Sequence, residues 1–250
     1  VRALIILTKI QEECMESSCN CSHEHYCIDN IPIFLDLSPE IKESIMDSSD
    51  RKKYKKGEII FTPGDYFDYL FVVNKGRVKI SKTSAMGKEQ ILRILEPGEF
   101  MGELSLFKNS VLTNSAEAIE TTEICIIESS KIRDLIMQRP EIALKFLQKY
   151  TERIEQSEAL IEQIGLMDVE QRIANYLLSE IDRNNTKNTG NEYEITLPVS
   201  KGVLASMLGT TQETLSRKLS VLQDSGFIKL KGHRKIVITY IDGLRNMCER

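Results

Sequence analysis

Glu213, Ser216 and Arg217 stand three and four residues apart, so on a helix they share one face. Their side chains suit the base edges of a DNA major groove. An arginine can grip guanine O6 and N7 with two hydrogen bonds, a glutamate can accept from cytosine N4, and a serine can bond several bases. Leu215, Leu219 and Leu222 recur at helical spacing on the opposite side, and Leu204 and Leu208 precede them across Gly209 and two threonines. The pattern predicts one helix over 201–208, a tight turn, and a second helix over 212–224, a helix-turn-helix. Such shapes also serve as plain structural corners, so the neighbouring charge matters.

Directly after it, 226–238 holds two short apolar runs around the basic turn Lys231-Gly232-His233-Arg234-Lys235, the pattern of a hairpin wing. Between 198 and 250, nine Lys and Arg stand against four acids, a balance of +5, while the whole chain carries −4 and residues 1–197 therefore −9. A basic module on an acidic body fits one end meeting a phosphate backbone. The wing and the reading face together favour DNA contact over a structural corner.

Cysteine supplies the second chemistry. Cys14, Cys19, Cys21 and Cys27 crowd one short segment, Cys125 lies far along the chain, and Cys248 sits at the tail. The apolar run 3–7 is too short to span a bilayer and lacks a small-residue cleavage site, so a cytoplasmic protein without a membrane partner is expected. In that reducing setting a cysteine cluster points to metal or redox chemistry. Three chemistries fit. Four thiolates can hold an iron–sulfur cluster. His23 and His25 inside the cluster give Cys-x-Cys-x-His-x-His-x-Cys, enough ligands for zinc. Two cysteines in reach suffice for a thiol–disulfide switch. No motif calls for haem, and Cys125 alone, flanked by isoleucines, would read as a small buried hydrophobe.

The remaining sequence must position these residues. A helix over 38–47 opens with Ser38-Pro39-Glu40. From 51 to about 128, short apolar strands alternate with Gly and Pro turns, which predicts an antiparallel sandwich or roll. Helix follows over 130–183. Within 140–166, Leu147, Tyr150, Ile154, Ser157, Ile161 and Ile164 fall at alternating steps of three and four, a dimer seam with one polar member. A two-fold DNA reader needs such a helix to set two recognition helices about one duplex turn apart. A second helix over 169–181 and a polar linker over 183–192 lead to the basic module. An enzyme is not expected: the three histidines (23, 25 and 233) leave no general base beside a nucleophile, and no P-loop or dinucleotide fingerprint occurs.

A roll, a long helix and a winged helix in that order resemble the CRP/FNR family of bacterial transcription regulators over roughly residues 30–245. The most specific pieces are the run 98–107, Gly-Glu-Phe-Met-Gly-Glu-Leu-Ser-Leu-Phe, and the reader Glu213-Thr214-Leu215-Ser216-Arg217. The resemblance implies an α+β chain of four parts: a cysteine-rich sensory segment (1–30), a cyclic-nucleotide-binding-like β-roll (31–130), a dimerisation helix (131–167) and a winged helix-turn-helix (168–250). In family members that bind cyclic nucleotides, a residue like Glu103 meets the ribose and an Arg-Ser-Ala arginine neutralises the phosphate. Here that segment reads Asn114-Ser115-Ala116, and Val111, Leu112 and Thr113 offer no cation. Cyclic AMP is therefore not expected as the effector, since a buried anion without a charged partner is heavily penalised, and Glu103 is expected to bond neighbouring backbone; a regulator answering to a cyclic-nucleotide-like small molecule is the alternative.

The cysteine cluster and the Glu-x-x-Ser-Arg reader are similar to the FNR branch. That likeness implies a [4Fe-4S] cluster on Cys19, Cys21, Cys27 and Cys125, with Cys14 as an alternative ligand. Cys21-x5-Cys27 matches the branch spacing, whereas Cys19 and Cys21 are closer than its pattern has them. It also implies a homodimer on an inverted repeat of TTGAT-like half-sites in double-stranded DNA, with RNA polymerase as a further partner. Arg217 would meet guanine, Glu213 the paired cytosine and Ser216 a thymine. Thr211, Gln212, Lys218, Arg234 and Lys235 would touch phosphate or sugar.

Overall fold

The computed structural model describes residues 31–47, 49–108, 111–184, 188–189 and 192–248. Two compact units divide the chain, one comprising residues up to 86 together with 92–151, the other 87–91 together with 152 onward.

The first unit is the roll. A 3-10 turn (Pro32–Phe34) and helix α1 (Pro39–Asp47) precede strands β1 (Ser49–Tyr54), β2 (Ile59–Phe61), β3 (Tyr69–Lys75), β4 (Val78–Thr83), β5 (Glu89–Leu95) and β6 (Phe100–Met101). The short helix α2 (Leu104–Phe107), strands β7 (Ser115–Ala118) and β8 (Thr122–Glu128), and helix α3 (Ser129–Gln138) complete it. Two four-stranded sheets result, ordered β1-β8-β3-β6 and β2-β7-β4-β5. Every pairing with a given register is antiparallel.

The period of two along β3 and β8 sorts their side chains between two cores. Phe71, Val73, Ile124 and Ile126 join Phe61, Ile80 and Leu95 between the sheets. Leu70, Val72, Cys125 and Ile127 face the opposite way and join Ile31, Phe34, Ile132, Ile142 and Phe146. Two glycines allow the close turns that bring these strands together. Gly76 has φ +83°, and a Cβ there would lie 2.5 Å from the Thr121 carbonyl; at Gly102, also φ +83°, it would lie 2.6 Å from the Tyr69 carbonyl.

Helix α4 (Pro140–Leu166) begins with proline at its first position and runs over the predicted span. Helix α5 (Val169–Asn184) starts at a reciprocal cap: the Asp168 carboxylate accepts from Gln171 N at 2.9 Å, and the Gln171 side chain accepts from Asp168 N at 2.8 Å. Helices α6 (Lys201–Met207) and α7 (Gln212–Asp224) form the helix-turn-helix, joined through Gly209 at φ +67°. Leu204, Ala205, Leu208, Leu215, Leu219 and Leu222 are all buried, as the leucine spacing requires.

Strands β11 (Ile228–Lys231) and β12 (Lys235–Ile238) make the wing, and helix α8 (Ile241–Cys248) follows. The wing is larger than a hairpin. Strands β9 (Asn188–Thr189) and β10 (Glu192–Thr196) extend it to a four-stranded sheet, β11-β12-β10-β9, so part of the stretch expected as linker is strand. Strict alternation places Ile195 in the core at 1% exposure while Glu192 and Glu194 face the other way.

Candidate nucleic-acid interface and sensor surfaces

The amino-terminal turn of helix α7 is open to solvent at 211–213. Thr211 has extended dihedrals and caps the helix, its hydroxyl accepting from Thr214 N at 3.2 Å. Gln212, Glu213 and Arg217 are exposed and Ser216 is half-buried, on the side away from Leu215, Leu219 and Leu222. The Arg217 guanidinium donates a long bond, 3.4 Å, to the Thr214 hydroxyl. Glu213, Ser216 and Arg217 thus share one accessible face, which can offer both donors and acceptors to base edges.

Lys218 lies differently. Its ammonium bonds the Glu170 carboxylate of α5 at 2.7 Å, and that contact raises its pKa above the ordinary lysine value. Lys235 bonds Glu194 at 2.9 Å; the same carboxylate takes Lys231 at 3.1 Å, and Glu192 takes Lys229 at 2.8 Å. Hydrogen bonds from Lys235 and Lys231 hold the Glu194 carboxyl below its usual pKa, and Lys229 does the same for Glu192. The Arg234 side chain is exposed at the wing turn, and its carbonyl accepts from Leu197 N at 2.7 Å. Glu170, Glu192 and Glu194 fall outside the basic stretch as delimited by charge alone. For the two wing glutamates, the alternation that marks β10 as a strand was the signal that could have found them.

On α4 the seam residues Leu147, Ile154, Ile161 and Ile164 are 61%, 57%, 72% and 44% exposed. Tyr150 is half-buried, its ring 6.3 Å from Phe107, and the exposed Ser157 returns its hydroxyl to the Arg153 carbonyl. Isolated apolar residues at a surface are ordinary, but four at seam spacing along one helix face form a stripe that water penalises.

The roll contains a small cavity of about 40 Å³ lined by Phe61, Ile80, Met101 and Leu112, with Arg93, Glu103 and Asn114 at its polar end. Asn114 does line it, as its place in the Asn-Ser-Ala segment requires. Arg93, from β5, was not singled out from the sequence and supplies a cation: its guanidinium lies 3.4 Å from Glu103, whose side chain is 9% exposed. Glu103 is therefore tied to another side chain rather than to backbone alone. Ligand pockets usually offer roughly 300–1,000 Å³, so in this conformation the space suits a few waters.

Cys125 is buried at 1% exposure in β8, opposite Arg51 of β1 and Val72 of β3. Its side chain shares the outward core with Ile31, Ile33 and Phe34 and with Ile142 and Phe146 of α4. Asp36 adds an ion pair with Lys145 of α4, and that contact lowers the Asp36 carboxyl below its usual pKa. Cys14, Cys19, Cys21 and Cys27, with His23 and His25, lie outside the described residues. Among the described residues no three His, Cys, Asp or Glu side chains gather as a metal site. None of the described helices is long and apolar enough to cross a membrane.

Two family models match the chain. Residues 51–139 match a cyclic nucleotide-binding domain and residues 171–247 a Crp-like helix-turn-helix domain. The chain is 28% identical to a probable transcriptional regulator, flp, of Lacticaseibacillus casei, over 87% of this chain and 96% of that one. It is 25% identical to an anaerobic regulatory protein of Pasteurella multocida, covering 93% and 85%. Among solved structures, FixK2 of Bradyrhizobium japonicum superposes with a TM-score of 0.66 at 26% identity, over 80% of this chain and 96% of that one.

Proposed function

Because the chain belongs to the CRP/FNR family of transcription regulators, DNA-binding proteins that act as dimers and not enzymes, we propose that it is a redox-responsive member of the FNR type. Its DNA grip would be set by the cysteine-rich arm through Cys125. One observation carries this reading: Cys125, residues 31–37 and the start of α4 share a single core. Cys27 precedes the buried Ile31 by four residues, so it can stand no further than roughly 14 Å from it at ~3.5 Å per residue. A thiolate at Cys125 and thiolates on the arm can therefore meet on the outward side of β8. That donor set fits a [4Fe-4S] cluster held by three of Cys14, Cys19, Cys21 and Cys27 together with Cys125.

Such a cluster, when bound, supplies an oxygen-labile link between the arm and the roll. The chain's own residues supply the transmission. Ile31, Ile33 and Phe34 pack in the core that holds Ile142 and Phe146, and Asp36 grips Lys145. Release of the arm would remove contacts from the first turns of α4 and so bias how two copies of that helix pair through Leu147, Tyr150, Ile154, Ser157, Ile161 and Ile164. The relative from Pasteurella multocida, named an anaerobic regulatory protein, supports this direction. The small volume of the cavity in this conformation disfavours a cyclic nucleotide as the signal.

At the other end, α7 would enter the major groove of an inverted repeat of TTGAT-like half-sites. Arg217 would bond guanine, Glu213 the paired cytosine and Ser216 a thymine. Thr211, Gln212 and Arg234 would meet the backbone, with Lys218 and Lys235 contributing as their carboxylate partners permit. A DNA-bound dimer of this kind would present its remaining surface to RNA polymerase.

The test is anaerobic purification followed by iron and sulfide analysis, visible spectroscopy and DNA titration before and after air. The expected sample is brown, carries about four irons per chain, as a cubane requires, and loses both colour and operator affinity in air. A colourless anaerobic sample whose DNA affinity ignores air overturns the redox reading. Zinc content, or a disulfide to Cys125 found by mass spectrometry, would assign the switch to those chemistries.

A further inference from the structure

Lys229, Lys231 and Lys235 project from one face of the wing, where phosphate would be met. Lys231 and Lys235 are direct partners across the hairpin, a like-charge pair that repels when left alone. Glu194 on β10 relieves it by bonding both ammonium groups, at 3.1 and 2.9 Å, while Glu192 takes Lys229 at 2.8 Å. Three cations and two carboxylates leave this face with a net charge of +1 per protomer. We propose that Glu192 and Glu194 are an electrostatic brake on the wing, limiting sequence-independent attraction to DNA so that base reading by α7 decides where the protein rests. The proposal goes beyond the redox reading and rests only on DNA binding.

Sequence-independent affinity follows the number of phosphates a protein neutralises, each worth a slope of about 0.9 in log K against log salt. A lysine bonded to a carboxylate presents a phosphate with a dipole instead of a charge. The stability these pairs add is small, because exposed pairs contribute little. Even if a lysine swings free, the strand-borne carboxylate remains well within one Debye length, about 8 Å at physiological salt, and repels the same phosphate. The brake matters because a genome presents roughly 10⁶–10⁹ competing sites.

A purely structural role, in which the pairs only staple β10 to the wing, predicts the reverse outcome on mutation. The experiment uses the full chain and two duplexes: one selected by the wild-type protein from a random pool, and a shuffled duplex of the same composition. Anisotropy titrations across a salt series compare wild type with E192Q/E194Q. The expected variant binds the shuffled duplex roughly tenfold or more tighter at low salt, at least as large a gain as on the selected duplex. Its salt slope steepens by about 2–4 for a dimer with two wings.

The variant K229Q/E192Q, which removes one ion pair and leaves the net charge of the face unchanged, is expected to shift the salt slope less than E192Q/E194Q does. An unchanged slope and unchanged shuffled-duplex affinity in E192Q/E194Q, or weakened binding to both duplexes in a variant that melts as wild type does, overturns the brake. Should E192Q/E194Q fold poorly, E194Q alone distinguishes the brake from the staple in the same way, with about half the slope change. If wild type selects no duplex at all, it is DNA reading that fails, and that failure is visible before any variant is made.

Discussion

The recognition helix and the roll cavity each set an arginine near a glutamate, and they dispose of these charges in opposite ways. On α7, Glu213 and Arg217 are both exposed, and the guanidinium donates a long 3.4 Å bond to Thr214. In the roll, Arg93 and Glu103 meet each other beside a cavity of about 40 Å³, and the Glu103 side chain is 9% exposed. Charges left to water can be exchanged for a partner at little desolvation cost, whereas a partly buried pair must be broken first. The contrast separates a face left open to water from a pair drawn inward and only partly satisfied, since the Arg93 Nε is buried with no hydrogen-bond partner among the described residues. The wing lies between these cases, because its lysines are exposed yet each has a carboxylate in hand.

The largest expected effect removes the pairing that presents two reading faces at once. Ile154→Glu places a charge in the exposed seam of α4. It is expected to yield a monomer by sedimentation and to weaken a two-half-site operator by roughly 10²–10⁴, the gain that linked sites supply. Roll melting should be unchanged; a variant that remains dimeric would remove Ile154 from the interface. Next comes the reading face itself. Arg217→Ala is expected to lose about 1–3 kcal/mol on the operator and to relax preference at a single base pair. Arg217→Lys should restore little of that preference, because an ammonium lacks the bidentate fork. Uniform loss across single-base-pair variants of the duplex would show that Arg217 meets only backbone.

The partly buried Arg93–Glu103 pair makes the opposite prediction. Glu103→Gln is expected to lower roll stability by about 1–2 kcal/mol in urea unfolding, since it strands part of a charge beside an apolar cavity. Operator preference should not move. Replacing both partners, Arg93→Met with Glu103→Leu, should regain much of the loss, as apolar pairs of similar volume often do. If instead the single variant melts like wild type but changes DNA affinity, the cavity is a signalling site and the pair is not merely structural.

The same contrast explains what could be read before the fold was known. Leu215, Leu219 and Leu222 at helical spacing define the buried side of α7, so the opposite face follows from local periodicity alone. The α4 span is legible for the same reason, whereas the division of β3 and β8 between two cores is not, because both strands are apolar on both faces. Arg93 is not, because it reaches Glu103 only after β5 and the turn following β6 are folded together, and no spacing along the chain encodes that meeting. The Lys218–Glu170 bond spans two helices and is equally silent. Strand β10 was legible and was masked by the polar residues before it: Tyr193, Ile195 and Leu197 alternate with Glu192, Glu194 and Thr196. Reading that alternation would have moved two carboxylates into the basic module.

The smallest effect concerns Thr211, whose hydroxyl has two candidate employments. The sequence suggested a phosphate contact, and the structure gives that oxygen to Thr214 N at 3.2 Å, at the mouth of the recognition helix. As a cap it should contribute about 0.5–1 kcal/mol, toward the low end for an exposed site with a longish bond. Thr211→Ala is then expected to lower the unfolding midpoint slightly and to weaken all duplexes by a small common factor, with base preference and salt slope intact. Thr211→Asp separates the two roles most sharply. Aspartate caps as well as threonine and its charge favours the helix amino terminus, so stability should hold or rise. The same charge repels phosphate. If Thr211→Asp is stable and its DNA affinity drops with a shallower salt slope, the hydroxyl also borders the backbone path; if affinity holds, Thr211 only shapes α7.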